Sequence, residues 1–309
     1  MRSDWSYSLL PDDAYDDEVL VRVEDAYHEA DEESVAAATE YRHALAVLAL
    51  VSTGIAVAFL LYDEASLLWM LLVCGALLVF ARWAQRRAAR LDCHRRFIEF
   101  RALAEALRVQ AYLRYAGSPL LAEDLLTWTQ LEETGWIDER LRALMEGAEP
   151  GEPHDIAGCW IEDQRSYHEK AAARSIRAVD RSERVVHVAF VASIVLYLVA
   201  LVFELLCGGL LLQPTVTVEN LEFWRAALKI AVGSMSAATL LISSYYGKLS
   251  LDRMHADHLK MARFFAWAAD RLAEEGQTEA LLERLAREEL IENGNWYSYQ
   301  LDNTPDISV

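Results

Sequence analysis

Four hydrophobic segments constrain this chain more than any other feature: Ala44–Tyr62, Ala65–Ala81, Val185–Phe203 and Ala226–Tyr246. Each is close to the ~20 apolar residues that carry a helix across the hydrocarbon core of a bilayer. The tight Tyr62-Asp63-Glu64 connection makes neighbours of the first two, and the last two form a second pair. The expected fold is all-α: a polytopic membrane protein with four transmembrane helices as two hairpins and long helices extending into the cytosol. Its first partner is the lipid bilayer.

Lysine and arginine set the orientation. Arg42 precedes the first segment, and Arg82, Arg86, Arg87, Arg90, Arg95 and Arg96 follow the second. Arg174, Arg177, Arg181 and Arg184 precede the third, while Lys248 and Arg253 follow the fourth. The opposite connections carry Asp63 and Glu64, then Glu204, Glu219, Glu222 and Arg225. By the positive-inside rule both termini and the central segment are cytosolic, in an inner (plasma) membrane protein.

The formal net charge of −19 is unusual beside anionic lipid, which repels acidic segments. Much of the acid lies between Asp12 and Glu33. That run reads as a solvated surface or, alternatively, as a docking patch for a basic partner. It lacks the basic footprint of a nucleic-acid binder. The N-terminus does not read as a signal peptide, because acids replace the basic leading region and ~40 polar residues precede the first span. Cys74, Cys93, Cys159 and Cys207 are scattered without a CxxC pair, so no disulfide framework is expected.

Five segments follow along the chain. Residues 1–41 form an acidic cytosolic arm and a leading helix, from about Asp16 to Glu40, that runs on into the first span. Residues 42–116 hold the first hairpin and a long helix, unbroken from Ala81 to the Gly117-Ser118-Pro119 turn. Residues 117–184 are a cytosolic helical segment, with a unit around Leu121–Glu146 that carries Leu125, Trp128, Leu131 and Trp136. A second long helix then leads from about Ile156 to Phe203. Residues 185–247 hold the second hairpin, whose loop contains Gly208-Gly209, Pro214 and an alternating Thr215–Val218 run suited to a small cap. Residues 248–309 are C-terminal helices and a tail. A short helix over Thr278–Glu292 is expected to stop at Asn293-Gly294, a natural left-handed cap, and the tail to run on extended.

The halves resemble a weak parallel repeat. Leu91-Asp92, His94, Phe97, Phe100 and Leu103-Ala104 compare with Leu251-Asp252, His258, Met261, Phe264 and Trp267-Ala268. The stripes carried by Phe97, Phe100, Leu103, Phe264 and Phe265 would pair with each other, or with another subunit as an oligomer base. Chance likeness between two amphipathic helices is the bland alternative.

No enzyme motif is present: there is no phosphate-cradling glycine loop, no GxSxG elbow and no HExxH. No catalytic residue or cofactor is expected. Cys93 and His94 with His255 and His258 are the sole metal-like set, and histidines at helix–membrane boundaries commonly bind none. Ionisable residues within a span are functional candidates by default, and they include His187. Glu204 and Lys229 read as an outer interfacial pair or as a charged ring at a pore mouth. The fourth span carries Gly233, Ser236 and Ser243 on a small, weakly polar face. That face suits tight helix packing or a water-lined path in an oligomer.

Several flanking motifs resemble a known family. They are Tyr27-His28-Glu29-Ala30-Asp31 with Tyr41-Arg42; His94-Arg95-Arg96-Phe97-Ile98-Glu99-Phe100-Arg101 with Ala102-Leu103-Ala104-Glu105; Trp160-Ile161-Glu162-Asp163-Gln164-Arg165-Ser166-Tyr167-His168; and Glu292-Asn293-Gly294-Asn295-Trp296. They are similar to SLATT-like bacterial proteins, the SMODS- and SLOG-associating transmembrane effectors. The resemblance implies a homo-oligomeric effector of antiviral defence that perturbs the inner membrane when an upstream sensor or nucleotide second messenger signals. It supplies no catalytic residues, and ~40 N-terminal residues leave no room for the nucleotide-sensing domain fused to related chains. The alternative expectation is a membrane-anchored scaffold or sensor without a pore, recruiting a cytosolic partner through the acidic arm or the Trp128/Trp136 region.

Overall fold

The computed structural model describes residues 7–126, 134–208, 219–248 and 251–302. The described residues are helical and contain no strand. Their α-helices are α1 (Glu18–Glu64), α2 (Met70–Leu91), α3 (Cys93–Tyr115), α4 (Ala122–Leu125), α5 (Gly135–Met145), α6 (Asp163–Phe203), α7 (Leu221–Lys248), α8 (Leu251–Glu275) and α9 (Glu279–Asp302). The chain folds as two units. One takes Met1–Tyr41, Asp92–Arg174 and Arg253–Asp306, and the other takes chiefly Arg42–Leu91 and Ser175–Asp252.

The first unit is built around α3. This helix has no Gly or Pro and places Ile98, Leu107, Val109 and Leu113 at zero exposure. It ends where Gly117 takes a left-handed conformation (φ +72°) and Ser118 N–H donates to Leu113 O at 3.0 Å. That bond closes a Schellman motif. A Cβ on Gly117 would lie 2.8 Å from Pro153 Cα, so glycine is needed for space as well as for φ. The partner of α3 is chiefly α9, with α4 and α5 at its flank. A π turn (Ala157–Glu162) leads into α6 and buries Cys159, Trp160 and Ile161 in succession, which one face of a regular helix cannot do.

Several expectations change here. The helix after the second hydrophobic segment is not continuous, because Asp92 adopts φ +47° and separates α2 from α3. The expected Leu121–Glu146 unit resolves into α4 and α5, and Trp128 and Leu131 lie outside the described residues. Asn293-Gly294 does not stop the last helix. Asn293 Nδ2 donates to Ala102 O at 3.1 Å, Gly294 is buried, and α9 continues because Trp296 and Tyr297 still have core to cover. The slot beside α3 that the repeat assigned to α8 is taken by α9.

The acidic run is exposed at Asp12, Asp13, Asp16, Glu18, Glu29 and Glu32, while others of its acids are engaged. Asp17 receives two hydrogen bonds from Arg114 (2.6 and 3.1 Å), Asp31 pairs with Arg101 at 3.3 Å, and Glu33 pairs with Arg96. Glu24 is fully buried, accepting from Leu9 N–H and the Tyr15 hydroxyl. The first turns of α1 thus neutralise the arginines of α3, and opposite charges 63 to 97 residues apart match across the contact.

In the second unit, three helical stretches are long and apolar enough to cross a membrane: Glu18–Glu64, Ala157–Cys207 and Leu221–Ser244. Few residues in their most apolar windows are buried within the chain, none in the last two. The second hydrophobic segment does not reach that standard. Ala65–Trp69 form a turn with Ser66 at φ +54°, and helix begins at Met70. Only Met70–Ala81, about 18 Å of helix, precedes the arginines. Within this unit Leu77 meets Gly54 and the Cys74 thiol reaches Ile55 O at 3.8 Å, so α2 lies along α1. The loop residues Gly209 and Pro214, with the Thr215–Val218 run, lie outside the described residues.

Candidate functional site: an outward polar helix face and a buried charge cluster

The small residues of α7 divide into two groups. Gly233 is a packing residue: a Cβ there would sit 2.9 Å from Leu60 Cδ1, so α7 passes α1 at its narrowest side chain. Thr239 is likewise engaged, its hydroxyl 3.1 Å from that of Ser193 on α6. Ser236, Ser243 and Ser244 are exposed, together with Lys229 and Leu240. At 100° per residue, positions 229, 236 and 243 fall in one narrow stripe.

The exposed hydroxyls differ from most others in the second unit, Ser234 being an inward one that also lacks a partner among the described residues. Ser52, Thr53, Ser193 and Thr239 each bond the carbonyl four residues back, at 2.8 to 2.9 Å. Ser236, Ser243 and Ser244 have no hydrogen-bond partner among the described residues. A hydroxyl facing hydrocarbon without a partner costs free energy that water or a neighbouring helix removes.

The ionisable residues pair differently from expectation. Glu204 accepts from Arg225, whose Nε and Nη2 lie 2.9 and 3.0 Å from its two oxygens. Lys229 instead donates to Glu64 at 2.9 Å. Arg225 sits one turn before Lys229 and its planar fork meets both carboxylate oxygens, which a lysine cannot do. Arg225 and Glu64 were legible only as connection charges, so sequence missed both partners. His187 is exposed.

In the first unit the aromatic stripes serve the chain's own core. Phe97 meets Trp296 edge-on (5.5 Å between centroids) and Phe100 lies against Trp136 at the same distance. Leu103 is buried, Phe264 stacks on Trp267, and the fully buried Phe265 stacks on His168 at 5.8 Å. The metal-like set disperses. The Cys93 thiol is 3.4 Å from Glu40, His94 packs on Tyr41, and His255 lies 3.0 Å from Ala172 O. His258 Nδ1 lies 3.0 Å from His168 Nδ1. Among the described residues no three metal-capable side chains come together.

A buried charge cluster escaped the sequence reading. Arg108 pairs with Glu105 one turn earlier and with Glu289 of α9 at 3.1 Å. The Trp160 indole N–H donates to Glu289, and Arg101 also holds Glu105. Burial favours a neutral Glu105, but Arg101 and Arg108 outweigh it and hold the carboxyl below its ordinary range. Glu289 moves the other way, because its burial exceeds what Arg108 and Trp160 return. Burial also pushes Glu292 up to about 7. Burial, then Arg108 and His258, lower His168 to about 3, so the two facing imidazoles share one proton at most. The 3,4-spaced arginines and glutamates of α3 read as a solvated face, and only burial reveals the cluster.

Comparison with family models, curated proteins and solved structures finds no match to this chain.

Proposed function

We propose that the chain is a four-span membrane effector whose copies associate through α7 and perturb the inner membrane on a cytosolic signal. In this reading α1 with α2, and α6 with α7, form two hairpins with both termini cytosolic. The segment of α2 that falls short in apolar length is completed by Arg82, whose long side chain snorkels to the interface. The observation that carries the reading is the stripe of Ser236 and Ser243 on a largely apolar helix, exposed and without a hydrogen-bond partner among the described residues. Such a stripe favours a helix of another subunit, or water between subunits, over lipid. The motif resemblance to SLATT-like effectors agrees with an oligomer gated by an upstream sensor or a nucleotide second messenger.

The scaffold reading retains one observation. A groove of about 290 Å³ lies between α1, α3 and α5, lined by Glu29, Phe100, Trp136 and Arg140. The acidic run itself favours that reading less, since Asp17, Glu24, Asp31 and Glu33 are already paired.

Ion flux into liposomes tests the effector reading. Reconstituted oligomer should conduct when its signal is present, and Ser236→Leu with Ser243→Leu should abolish flux while leaving membrane insertion intact. Purified oligomer that stays tight under every cognate signal overturns the reading.

A further inference from the structure

One face of α2 has no role in the fold or in the proposed path. Residues 72, 79, 83, 86 and 90 recur along a single stripe at 100° per residue. The stripe changes character in register with a leaflet. Leu72 and Val79 are 78% and 72% exposed, with Gly75 and Ala76 also exposed between them as a shallow apolar trough. Trp83 follows, 55% exposed, and beyond it come Arg86, Arg87 and Arg90. The lower part of this face is a solvent-open groove of about 580 Å³, lined by Val79, Trp83 and the arginines. Arg87 Cζ lies 5.8 Å from the Trp83 ring centroid.

These cations contrast with most arginines of the first unit, which sit against a carboxylate, Arg96, Arg101, Arg108 and Arg114 among them. Arg86, Arg87 and Arg90 have no carboxylate partner among the described residues, although the chain carries a net charge of −19. The three guanidinium groups span about 6 Å along the helix axis, roughly one phosphate layer. An acidic peptide would match the charge but not the apolar trough that continues the same stripe. A phospholipid matches both: acyl chain beside Leu72–Val79, glycerol at the tryptophan, and phosphate on the guanidinium forks.

We propose that this face of α2 binds an anionic phospholipid headgroup, making the second unit's membrane contact lipid-selective. The inference rests on the membrane reading and deepens it. Juxtamembrane arginines each add an attraction to anionic lipid that salt screens.

The test uses the full chain in vesicles of phosphatidylglycerol and phosphatidylcholine, the two probe lipids. Bound lipid is counted after detergent extraction, and membrane insertion is scored by resistance to alkaline carbonate. Wild type should retain phosphatidylglycerol selectively. Arg86→Gln, Arg87→Gln and Arg90→Gln together should weaken that preference about tenfold at ~0.1 M salt and leave insertion unchanged. A control triple substitution, Arg165→Gln, Arg271→Gln and Arg287→Gln, removes the same net charge elsewhere and should leave the preference intact. Equal retention of both lipids by wild type, or equal loss in the two triple variants, overturns the headgroup site while the membrane reading stands. Competition of the bound lipid by inorganic phosphate alone at millimolar concentration also overturns it, since the acyl trough would then contribute nothing. Release of wild type by carbonate defeats the membrane reading and this inference with it.

Discussion

The two units of this protein place polarity in opposite ways. In the first, ionisable groups are inside: Arg108, Glu289 and Glu24 are nearly or fully buried, each with a partner. In the second, apolar groups are outside, as with Leu72, Val79 and Leu240. An aqueous helical core offsets the desolvation of its charges only by pairing them. A lipid-facing bundle gains nothing by hiding leucine, so it spends its few polar groups on helix contacts instead. The second unit is thus apolar outside in the way that helices able to cross a membrane are, and the division falls within α1 and α6, each of which contributes to both units.

The largest expected effect comes from breaking the buried pairing of the first unit. Arg108→Met leaves Glu105 with one cation and Glu289 with none, and should destabilise the unit by ~3–5 kcal/mol. Denaturant titration of the full chain in detergent, followed by hydrogen exchange at α3 and α9, reads this. Adding Glu289→Leu should restore much of the loss by removing the stranded carboxylate. A double variant as unstable as the single one would show that packing rather than pairing dominates the cluster.

The same cluster gives the first unit a pH response. His168, lowered to about 3, stays neutral in the fold while the unfolded chain binds its proton below about 6.5. Stability from this group is thus lost as pH falls from about 6.5 towards 3. Glu292, raised to about 7, has the opposite sign: the fold keeps the proton that the unfolded chain releases, so stability is lost as pH rises from about 4.5 through 7. His168→Phe, which keeps the stack on Phe265, should gain on wild type progressively below pH 6.5. Glu292→Gln should gain progressively as pH rises towards 7. Thermal midpoints across pH 4–8 separate the two, and parallel curves for both variants would sink the assignment.

How much of this contrast was legible follows from range. The hydrophobic segments and the long uninterrupted helices α1 and α6 are local patterns of period 3.6, and the sequence carries them openly. The acids of α1 and the arginines of α3 are equally visible, yet their meaning is not. Each run alone reads as solvated, and only contacts such as Glu33 with Arg96 turn the two into a matched surface. The same holds for Glu204, whose partner was decided by a guanidinium fork four residues from the expected lysine. Asp92 and Ser66 are breaks without Gly or Pro, so no local signal announced them. Asn293-Gly294 is the reverse case, a local stop signal overridden by burial against α3.

In the second unit, packing replaces pairing and the expected effects shrink. Gly233→Leu must displace Leu60 from its contact with α7, and overpacking of this kind costs about 1–3 kcal/mol. Gly233→Ala should cost less, because the atom it meets is the far end of a flexible side chain. A cysteine pair at positions 60 and 233 would report the approach directly. Failure of that disulfide to form under oxidation in the otherwise unchanged chain would show that the two helices do not meet there.

The smallest effect discriminates most sharply between helix contact and outward face. Ser193→Ala deletes a hydroxyl within hydrogen-bond distance of Thr239, and such interhelical bonds in membranes average about 0.6 kcal/mol. Ser236→Ala removes a hydroxyl without a partner among the described residues, so a detergent-isolated monomer should register no change. In the assembled state the order should reverse. If α7 faces another copy, Ser236→Ala weakens association measurably while Ser193→Ala leaves it alone, because the Ser193 contact is internal to one chain. Oligomer fraction against protein concentration reads both. Equal behaviour of the two variants in monomer and assembly would mean that the polar stripe of α7 faces lipid, leaving its hydroxyls without a function.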